Sequence, residues 1–498
     1  MRAQLKQLGG DTAIYGVTTI VQRFLSFILT PFYTHFLTPR ELGVQADLFV
    51  IIAFLLVLAN AGMESAYFKH DAAAKTDEER RTVLWNAVGV NWIVAITFGL
   101  LMALFPRGAS AVTLLNLPEE YIGLIPLVGA VLALDSMSMI PLALLRMRRR
   151  AFKYGTIKVA SIVVNVILNV ILVGVLDMKL TGIFIAALAQ SLTQFLLSVP
   201  FLRFLKPIRF DPRLRRQMLA FGLPTLGSGL SLIALQLIDR PIFKQLAGYE
   251  ALGLYQANFR LAIVMVVMNA VFEFAWRPFF LQQAEKPNAQ ALFARVFTYF
   301  NVIGGGLVVA VALFIANVAA IPIPFTDATF IAPLYWSGLT IVPIVLVAYL
   351  FNGWYTNFIV GVYVEGKTKT LLWLTLGGAI AKALLCIALI PVIGIAGGAW
   401  GTFGAYLLMS LALLFISQKF FPIPYEWGRV LLVLTGVAGI LLLAELLFET
   451  TDQSFRTFAF KVGLMLLYPL WLFVTGFFSA GERKEMSRLL GMMKRRGG

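Results

Sequence analysis

Charged side chains inside long apolar segments are the residues of this sequence that could do chemistry. Arg23 and Arg260 lie about 18 Å and 15 Å inside two apolar segments that enter from opposite sides, at 1.5 Å per residue, and therefore at similar depth. A guanidinium in hydrocarbon costs at least about 2.5 kcal/mol, so it should face a cavity or a partner. Because a guanidinium binds two oxygens of one anion, this pair predicts a central site for phosphate or a similar anion.

Lys382, near the middle of another apolar segment, is the third candidate for this anion site. A lysine can also extend along its helix to the interface, which would leave it without a role in the site. The alternative for both arginines is a structural salt bridge to Asp135, Asp47 or Asp239. The sequence leaves these readings open.

Three further residues are candidates for a gate or for ion coupling. Asp135 is the most deeply placed carboxylate, and a desolvated carboxylate can carry protons or neutralise an arginine. Asp239 and Arg240 are adjacent near the outer end of a segment, just before Pro241. As helix neighbours they should point apart, so they should not be simply each other's partner. We expect them to form part of an outer gate, and the alternative is an interfacial anchor pair.

Metal, disulfide and nucleotide chemistry find no support in the sequence. The single cysteine, Cys386, lies in an apolar segment, and neither His35 nor His70 has a second histidine at ligand spacing. No phosphate-binding GxxxxGK[ST] loop is present. We therefore expect no cofactor and no metal, and a driving force from an H⁺ or Na⁺ gradient, the membrane potential or consumption of product.

The composition requires a membrane protein, since 59% of the 498 residues are hydrophobic and 13% are charged. A crossing needs about 20 apolar residues, and the sequence predicts an all-α, polytopic fold with about 14 of them. The net charge of +16 does not indicate nucleic-acid binding, because basic residues are divided by membrane side. Their excess on the side of the termini predicts that both termini are cytoplasmic. The predicted crossings are 11–36, 42–68, 82–105, 119–147, 154–176, 181–205, 215–246, 249–280, 291–315, 330–361, 369–390, 395–417, 428–448 and 457–480.

The chain also carries an internal duplication. The segment from Arg23 to Gly43 returns 210 residues later, so that Pro31 matches Pro241 and Gly43 matches Gly253. Both copies cross in the same direction, which predicts two six-helix lobes related by a pseudo-twofold axis along the membrane normal. The predicted parts are an N-terminal lobe (1–205), a cytoplasmic linker (206–216), a C-terminal lobe (217–418), two extra helices (419–480) and a basic cytoplasmic tail (481–498).

Proline and glycine inside the apolar segments predict breaks or hinges, as at Pro141, Pro278 and the segment FGLPTLGSG at 221–229. Such breaks favour a protein that moves over a rigid anchor. The glycines at 304–306 could instead serve close helix packing.

Four motifs resemble the multidrug/oligosaccharidyl-lipid/polysaccharide exporter superfamily, and within it the bacterial polysaccharide-biosynthesis flippases of the Wzx-like O-antigen and exopolysaccharide branch. They are YGVTTIVQRFLSFILTPFYTHFLTPRELG at the N-terminus, LANAGMESAYFKH, AWRPFF, and VIGIAGGAWGT. The resemblance implies two lobes around a central cavity that opens alternately to each side. It also implies movement of a polyprenyl-diphosphate-linked oligosaccharide from the cytoplasmic to the periplasmic leaflet of the bacterial inner membrane.

The resemblance further implies a lipid-linked oligosaccharide as substrate, contact with membrane lipids, and a monomer that could work with a glycan polymerase or ligase. Related lipid II flippases use cavity arginines in the first and eighth crossings, where Arg23 and Arg260 stand here. A lipid II flippase of peptidoglycan synthesis and an ion-coupled multidrug antiporter are the alternative functions. A membrane enzyme is disfavoured, because the sequence offers no acid/base constellation.

Overall fold

A computed structural model of the protein describes residues 16, 18, 20–21, 23–25, 27–104, 116–205, 209–323, 328–447, 455–479 and 481–483. Nearly all of these residues are helical, which confirms the predicted all-α membrane fold. The predicted tail 481–498 lies almost wholly outside them. The helices are α1 (described residues between 16 and 36), α2 (Pro39–Asn60), α3 (Met63–Ala73), α4 (Asp77–Ala103), α5 (Ile125–Met147), α6 (Ala151–Asn169), α7 (Lys179–Ser198), α8 (Pro212–Leu237), α9 (Asp239–Arg260), α10 (Ile263–Gln283), α11 (Ala289–Ala319), α12 (Val342–Phe358), α13 (Val360–Val364), α14 (Lys369–Ile393), α15 (Ile395–Phe420), α16 (Trp427–Leu447) and α17 (Phe455–Val474).

Side-chain caps set where several helices begin. The Thr38 hydroxyl accepts the backbone N–H of Glu41, while the Glu41 carboxylate accepts the backbone N–H of Thr38. Thr76 and Glu79 form the same reciprocal arrangement at the start of α4. These caps satisfy N–H groups that have no partner within the first turn of a helix.

Thirteen helices among the described residues are long and apolar enough to cross a membrane. One of them, Pro212–Arg260, has 49 residues, about 74 Å at the helical rise and far longer than one crossing needs. Gly248 divides it, because its φ of 81° and ψ of 178° are not helical and suit glycine alone. The seventh predicted crossing therefore ends next to Gly248, and the eighth, 249–280, combines the rest of this helix with Ile263–Gln283. The count stays at thirteen, and α1 completes the fourteen.

Prolines break fewer helices than expected. Pro141 and Pro278 lie inside the continuous helices α5 and α10, and α8 runs unbroken through 221–229. Packing against other helices can satisfy the backbone groups that a proline frees. One actual break separates α2 from α3, where Ala61 and Gly62 both have left-handed backbone angles.

The chain divides into two compact units. The first contains Met1–Ile263 and Thr368–Met409, and the second contains Val264–Lys367 and Ser410–Gly498. In the first unit α2 packs on α9, α4 on α5, α6 on α7, and α14 on α8. The lobe boundaries that the duplication predicts, at 205, 216 and 418, remain predictions.

The second unit is built around α11, which packs against α12, α16 and α17. Gly305 of α11 allows α16 and α17 to pack closely against α11, since a Cβ there would lie 2.8 Å from the Tyr468 hydroxyl and 2.9 Å from Val437. This agrees with the close-packing alternative for the glycines at 304–306. Trp354 lies in an aromatic core and donates from Nε1 to the Asn301 side chain at 2.6 Å.

The two copies of the repeat meet in the first unit through reciprocal contacts. A Cβ on Gly43 would lie 1.9 Å from the carbonyl oxygen of Tyr249, and a Cβ on Gly253 would lie 1.8 Å from that of Pro39. Pro39 and Tyr249 are themselves separated by the repeat spacing of 210 residues. Contacts exchanged in this way are what a twofold axis requires, so the pseudo-twofold axis passes between α2 and α9.

Candidate functional site

Arg23 and Arg260, the predicted central cations, both belong to the first unit. Arg23 lies in α1 and is exposed, and Arg260 is half-buried at the end of α9. The groups that act electrostatically on Arg260 are the Tyr33 hydroxyl and the guanidinium of Arg240. No carboxylate is among them.

Arg23 and Arg260 lie on crossings that run in opposite directions, which affects where their guanidinium groups can lie. Helical side chains lean toward the N-terminus of their own helix. The first and eighth crossings run in opposite directions, so we expect the two side chains to lean in opposite directions. Tyr33, the neighbour of Arg260, lies near the C-terminal end of α1. At similar backbone depth, we therefore expect the two positive charges to lie along a path rather than at one level.

The three carboxylates that could have neutralised these arginines are engaged elsewhere. Asp47 accepts from Lys244 Nζ at 2.8 Å and from the Tyr249 hydroxyl at 3.2 Å. Asp135 accepts from Ser191 and interacts electrostatically with Lys158. Asp239 forms a separate cluster, described next. Each of the three carboxylates proposed as a salt-bridge partner for Arg23 and Arg260 therefore contacts other residues instead.

Asp239 stands at the centre of a fully buried charge cluster. Its Oδ2 lies 3.1 Å from Lys382 Nζ and accepts from the Tyr255 hydroxyl at 2.6 Å, while its Oδ1 lies 3.1 Å from Arg240 Nη1. Asp239 and Lys382 are 0% and 1% exposed, so water does not weaken these contacts. Arg240 also donates from Nε to Gln256 at 3.0 Å.

The expectation that Asp239 and Arg240 point apart is wrong, since the two side chains are in contact. They are nevertheless not simply each other's partner, because Asp239 also contacts Lys382. The helical hydrogen-bond pattern is interrupted here, because α8 ends at Leu237 and Asp239 begins α9, although Ile238 between them keeps helical backbone angles. The long Arg240 side chain bends back across this junction, where Nη1 also donates to the Gln236 carbonyl at 2.6 Å. Two buried cations thus share one buried carboxylate, which leaves a surplus positive charge beside Arg260.

A second polar cluster lies among α5, α6 and α7. Lys158 Nζ donates to the Gln194 side chain at 2.7 Å, and Asp135 is the nearby acid. Sequence reasoning missed Lys158 as a functional candidate, although the rule that selected Lys382, a lysine inside an apolar segment, applies to it equally. Tyr255, Gln256 and Lys244 were also missed, since only their partners make them notable.

Groups of three or more histidine, cysteine, aspartate or glutamate side chains that could hold a metal ion do not occur within the described part of the chain. Cys386 is buried there and has a free thiol.

Comparison with known families gives a match between residues 8–283 and the family described as polysaccharide biosynthesis protein. The match covers more than half of the chain and includes three of the four motifs that carry the resemblance. The chain belongs to this family. The predicted membership of the polysaccharide-exporter superfamily is thereby confirmed.

Solved structures show the same fold at low sequence identity. The lipid II flippase MurJ, in an inward closed conformation, matches with a TM-score of 0.69 and 13% identity over 93% of this chain and 98% of that one. An inward-facing multidrug resistance transporter of the MATE family matches with a TM-score of 0.67 and 15% identity over 80% and 94%. Comparison with curated proteins gave no significant match.

Proposed function

We propose that this protein is a flippase that moves a polyprenyl-diphosphate-linked oligosaccharide from the cytoplasmic to the periplasmic leaflet, for cell-surface polysaccharide biosynthesis. It would work in the bacterial inner membrane with both termini in the cytoplasm, without converting its substrate. Membership of the polysaccharide biosynthesis family and the fold shared with a lipid flippase support the proposal.

The main observation in support of this proposal is that the charge around Arg260 that has no counter-ion is positive. Arg260 has a second guanidinium and a hydroxyl as its electrostatic neighbours, and Asp47, Asp135 and Asp239 are engaged elsewhere. A diphosphate supplies the anionic oxygens that guanidinium groups bind best. In this proposal Arg23 and Arg260 contact the diphosphate in turn as it moves along the path between them.

The fold also suits two other cargoes. A lipid II flippase shares both the fold and the diphosphate chemistry, so only a comparison of substrates separates the two. A multidrug antiporter that carries organic cations needs carboxylates or open aromatic faces in its cavity, whereas the buried carboxylates Asp47 and Asp239 already bind lysines.

The test is transbilayer movement of a fluorescent polyprenyl-diphosphate oligosaccharide in proteoliposomes. We expect wild type to move it, and Arg23→Ala and Arg260→Ala each to reduce the rate about tenfold or more, because one charge-assisted contact contributes about 1.5–3 kcal/mol. Arg40→Ala is the matched control, since Arg40 is exposed and pairs with Glu120 at 3.4 Å.

Normal movement in both arginine variants would show that these residues are structural. Failure of the wild type with several glycans, together with export of an organic cation, would favour the antiporter. Faster movement of lipid II than of other polyprenyl-linked sugars would assign the peptidoglycan pathway instead.

A further inference from the structure

Lys382 occupies a small cage of oxygen atoms inside the first unit. Its Nζ lies 3.2 Å from the carbonyl oxygen of Leu235, 3.2 Å from that of Gln236 and 3.1 Å from Asp239 Oδ2. An ammonium group has three N–H donors, and this arrangement offers one acceptor for each. Lys382 therefore has no donor left over for a transported anion.

The local fold explains why these oxygens are available. Leu235 and Gln236 lie in the last turn of α8, where carbonyl groups lack helical partners and carry the negative end of the helix dipole. The helix ends at Leu237, and Pro241, four residues on, has no N–H with which to continue the pattern. A helix C-terminus beside a buried carboxylate is a place that favours a cation.

The ligand set matches a monovalent cation. Two carbonyl oxygens and one carboxylate oxygen are hard donors, which sodium-like ions take in place of water. Tyr255 and Arg240 hold the Asp239 carboxylate from its other sides, at 2.6 Å and 3.1 Å, so its position does not depend on the occupant alone.

We propose that the Lys382 ammonium is a built-in monovalent cation that stands where a Na⁺ ion would otherwise bind, so the protein takes no Na⁺ at this position. The positive charge then stays in the cage throughout the transport cycle, and Na⁺ entry there cannot drive the cycle. The proposal concerns the protein alone and does not depend on which lipid is carried.

The test measures the thermal unfolding temperature of the purified full-length protein in NaCl, KCl and choline chloride at equal ionic strength. We expect the Tm of wild type to be the same in all three salts. Lys382→Ala opens the cage, and its Tm should be lowest in choline and rise saturably with NaCl by about 2–4 °C at a hundredfold excess over Kd. Binding of ²²Na⁺ should show the same difference between the two proteins.

The double variant Lys382→Ala/Asp239→Asn is the matched control, because it lacks the carboxylate and should show no response to NaCl. The proposal is overturned if wild type binds Na⁺ saturably and Asp239→Asn abolishes that binding. It is also overturned if folded Lys382→Ala, with a wild-type elution volume, shows no response to Na⁺. If Lys382→Ala fails to fold, Lys382→Ser removes the same ammonium group and leaves a hydroxyl in its place. The measurement of Na⁺ binding to wild type can still overturn the proposal.

Discussion

At the scale of single residues, Asp239 is the position on which the first unit depends most. It is the shared counter-ion of Lys382 and Arg240, all within the protein interior. Asp239→Asn should destabilise the protein by about 3–5 kcal/mol, because two buried cations lose their only carboxylate in the cluster. Unfolding of the detergent-solubilised protein by denaturant would measure this loss.

A second substitution makes the reason for that loss testable. Adding Lys382→Met to Asp239→Asn removes one of the stranded charges and should restore part of the stability. Asp177→Asn, at an exposed acid, is the control and should leave stability unchanged. Equal losses of stability in the single and double variants would mean that the destabilisation by Asp239→Asn comes from packing and not from charge.

The charged residues themselves were predictable, and their pairing was not. A charge inside an apolar segment is visible in sequence because it is costly there, which is why Arg23, Arg260, Lys382, Asp135 and Asp239 stood out. Pairing depends on which helices pack together. Asp239 reaches Lys382 because α8 and α9 contact α14, and no local pattern in the sequence encodes that contact.

At the scale of helices, the contact between α2 and α9 depends on two glycines. Alanine at Gly43 or Gly253 would put a Cβ within 2 Å of a backbone oxygen of the other helix, so the helices must separate. We expect each variant to lower the Tm and to increase labelling of a cysteine placed at Tyr249, in a Cys386→Ser background. Backbone atoms cannot move aside as a flexible side chain can.

Gly227→Ala is the matched control for these variants. Gly227 lies in α8 of the same unit, and a Cβ there would meet nothing within 4 Å. Its Tm and labelling should equal those of the parent. A decrease in Tm for Gly227→Ala as large as that for Gly43→Ala would show that the flexibility of glycine, rather than the close approach of the helices, determines stability.

Glu482 connects the end of α17 to α11 and α16, and this link should depend on pH. Burial raises the pKa of Glu482, but donation from Tyr299, the Ser479 backbone N–H and Arg429 lowers it further, to about 2. Because the pKa in the folded protein lies below the ordinary value of 4.5, the stabilisation is present above pH 4.5. It is lost as pH falls from 4.5 toward 2.

Glu482→Gln should therefore lower stability at pH 7, by about 1 kcal/mol or less because the group is partly exposed. The difference in Tm between wild type and variant should shrink as pH falls below 4.5. Measuring both proteins at each pH cancels the titration of other carboxylates. A difference that stays constant down to pH 3 would contradict the assignment.

Helix positions were largely predictable because long apolar runs leave little choice inside a bilayer. The predicted limit between the seventh and eighth crossings, for example, falls at Gly248. Interruptions were less predictable, as the continuous helix through 221–229 and the break at Ala61 show. Whether a proline or glycine interrupts a helix depends on the partner that takes up its freed backbone groups.

At the scale of the whole molecule, the duplication connects sequence to fold most directly. The spacing of 210 residues predicts a twofold relation, and the exchange between Gly43 and Gly253 displays it at atomic distance. Two copies that cross in the same direction can also alternate between two arrangements about their common axis. Duplication therefore suits a protein that exposes one site to each side in turn.

Orientation in the membrane is the last prediction and the one on which the direction of transport depends. The excess of basic residues predicts that Asp77 lies on the cytoplasmic side and Glu120 on the outer side. Both side chains are exposed, at 82% and 56%, so a cysteine at either position can react. In a Cys386→Ser background, Glu120→Cys should be labelled by a membrane-impermeant maleimide in cells whose outer membrane alone is opened. Asp77→Cys should be labelled only after the inner membrane is also opened, and the reverse pattern would invert the proposed direction of lipid movement.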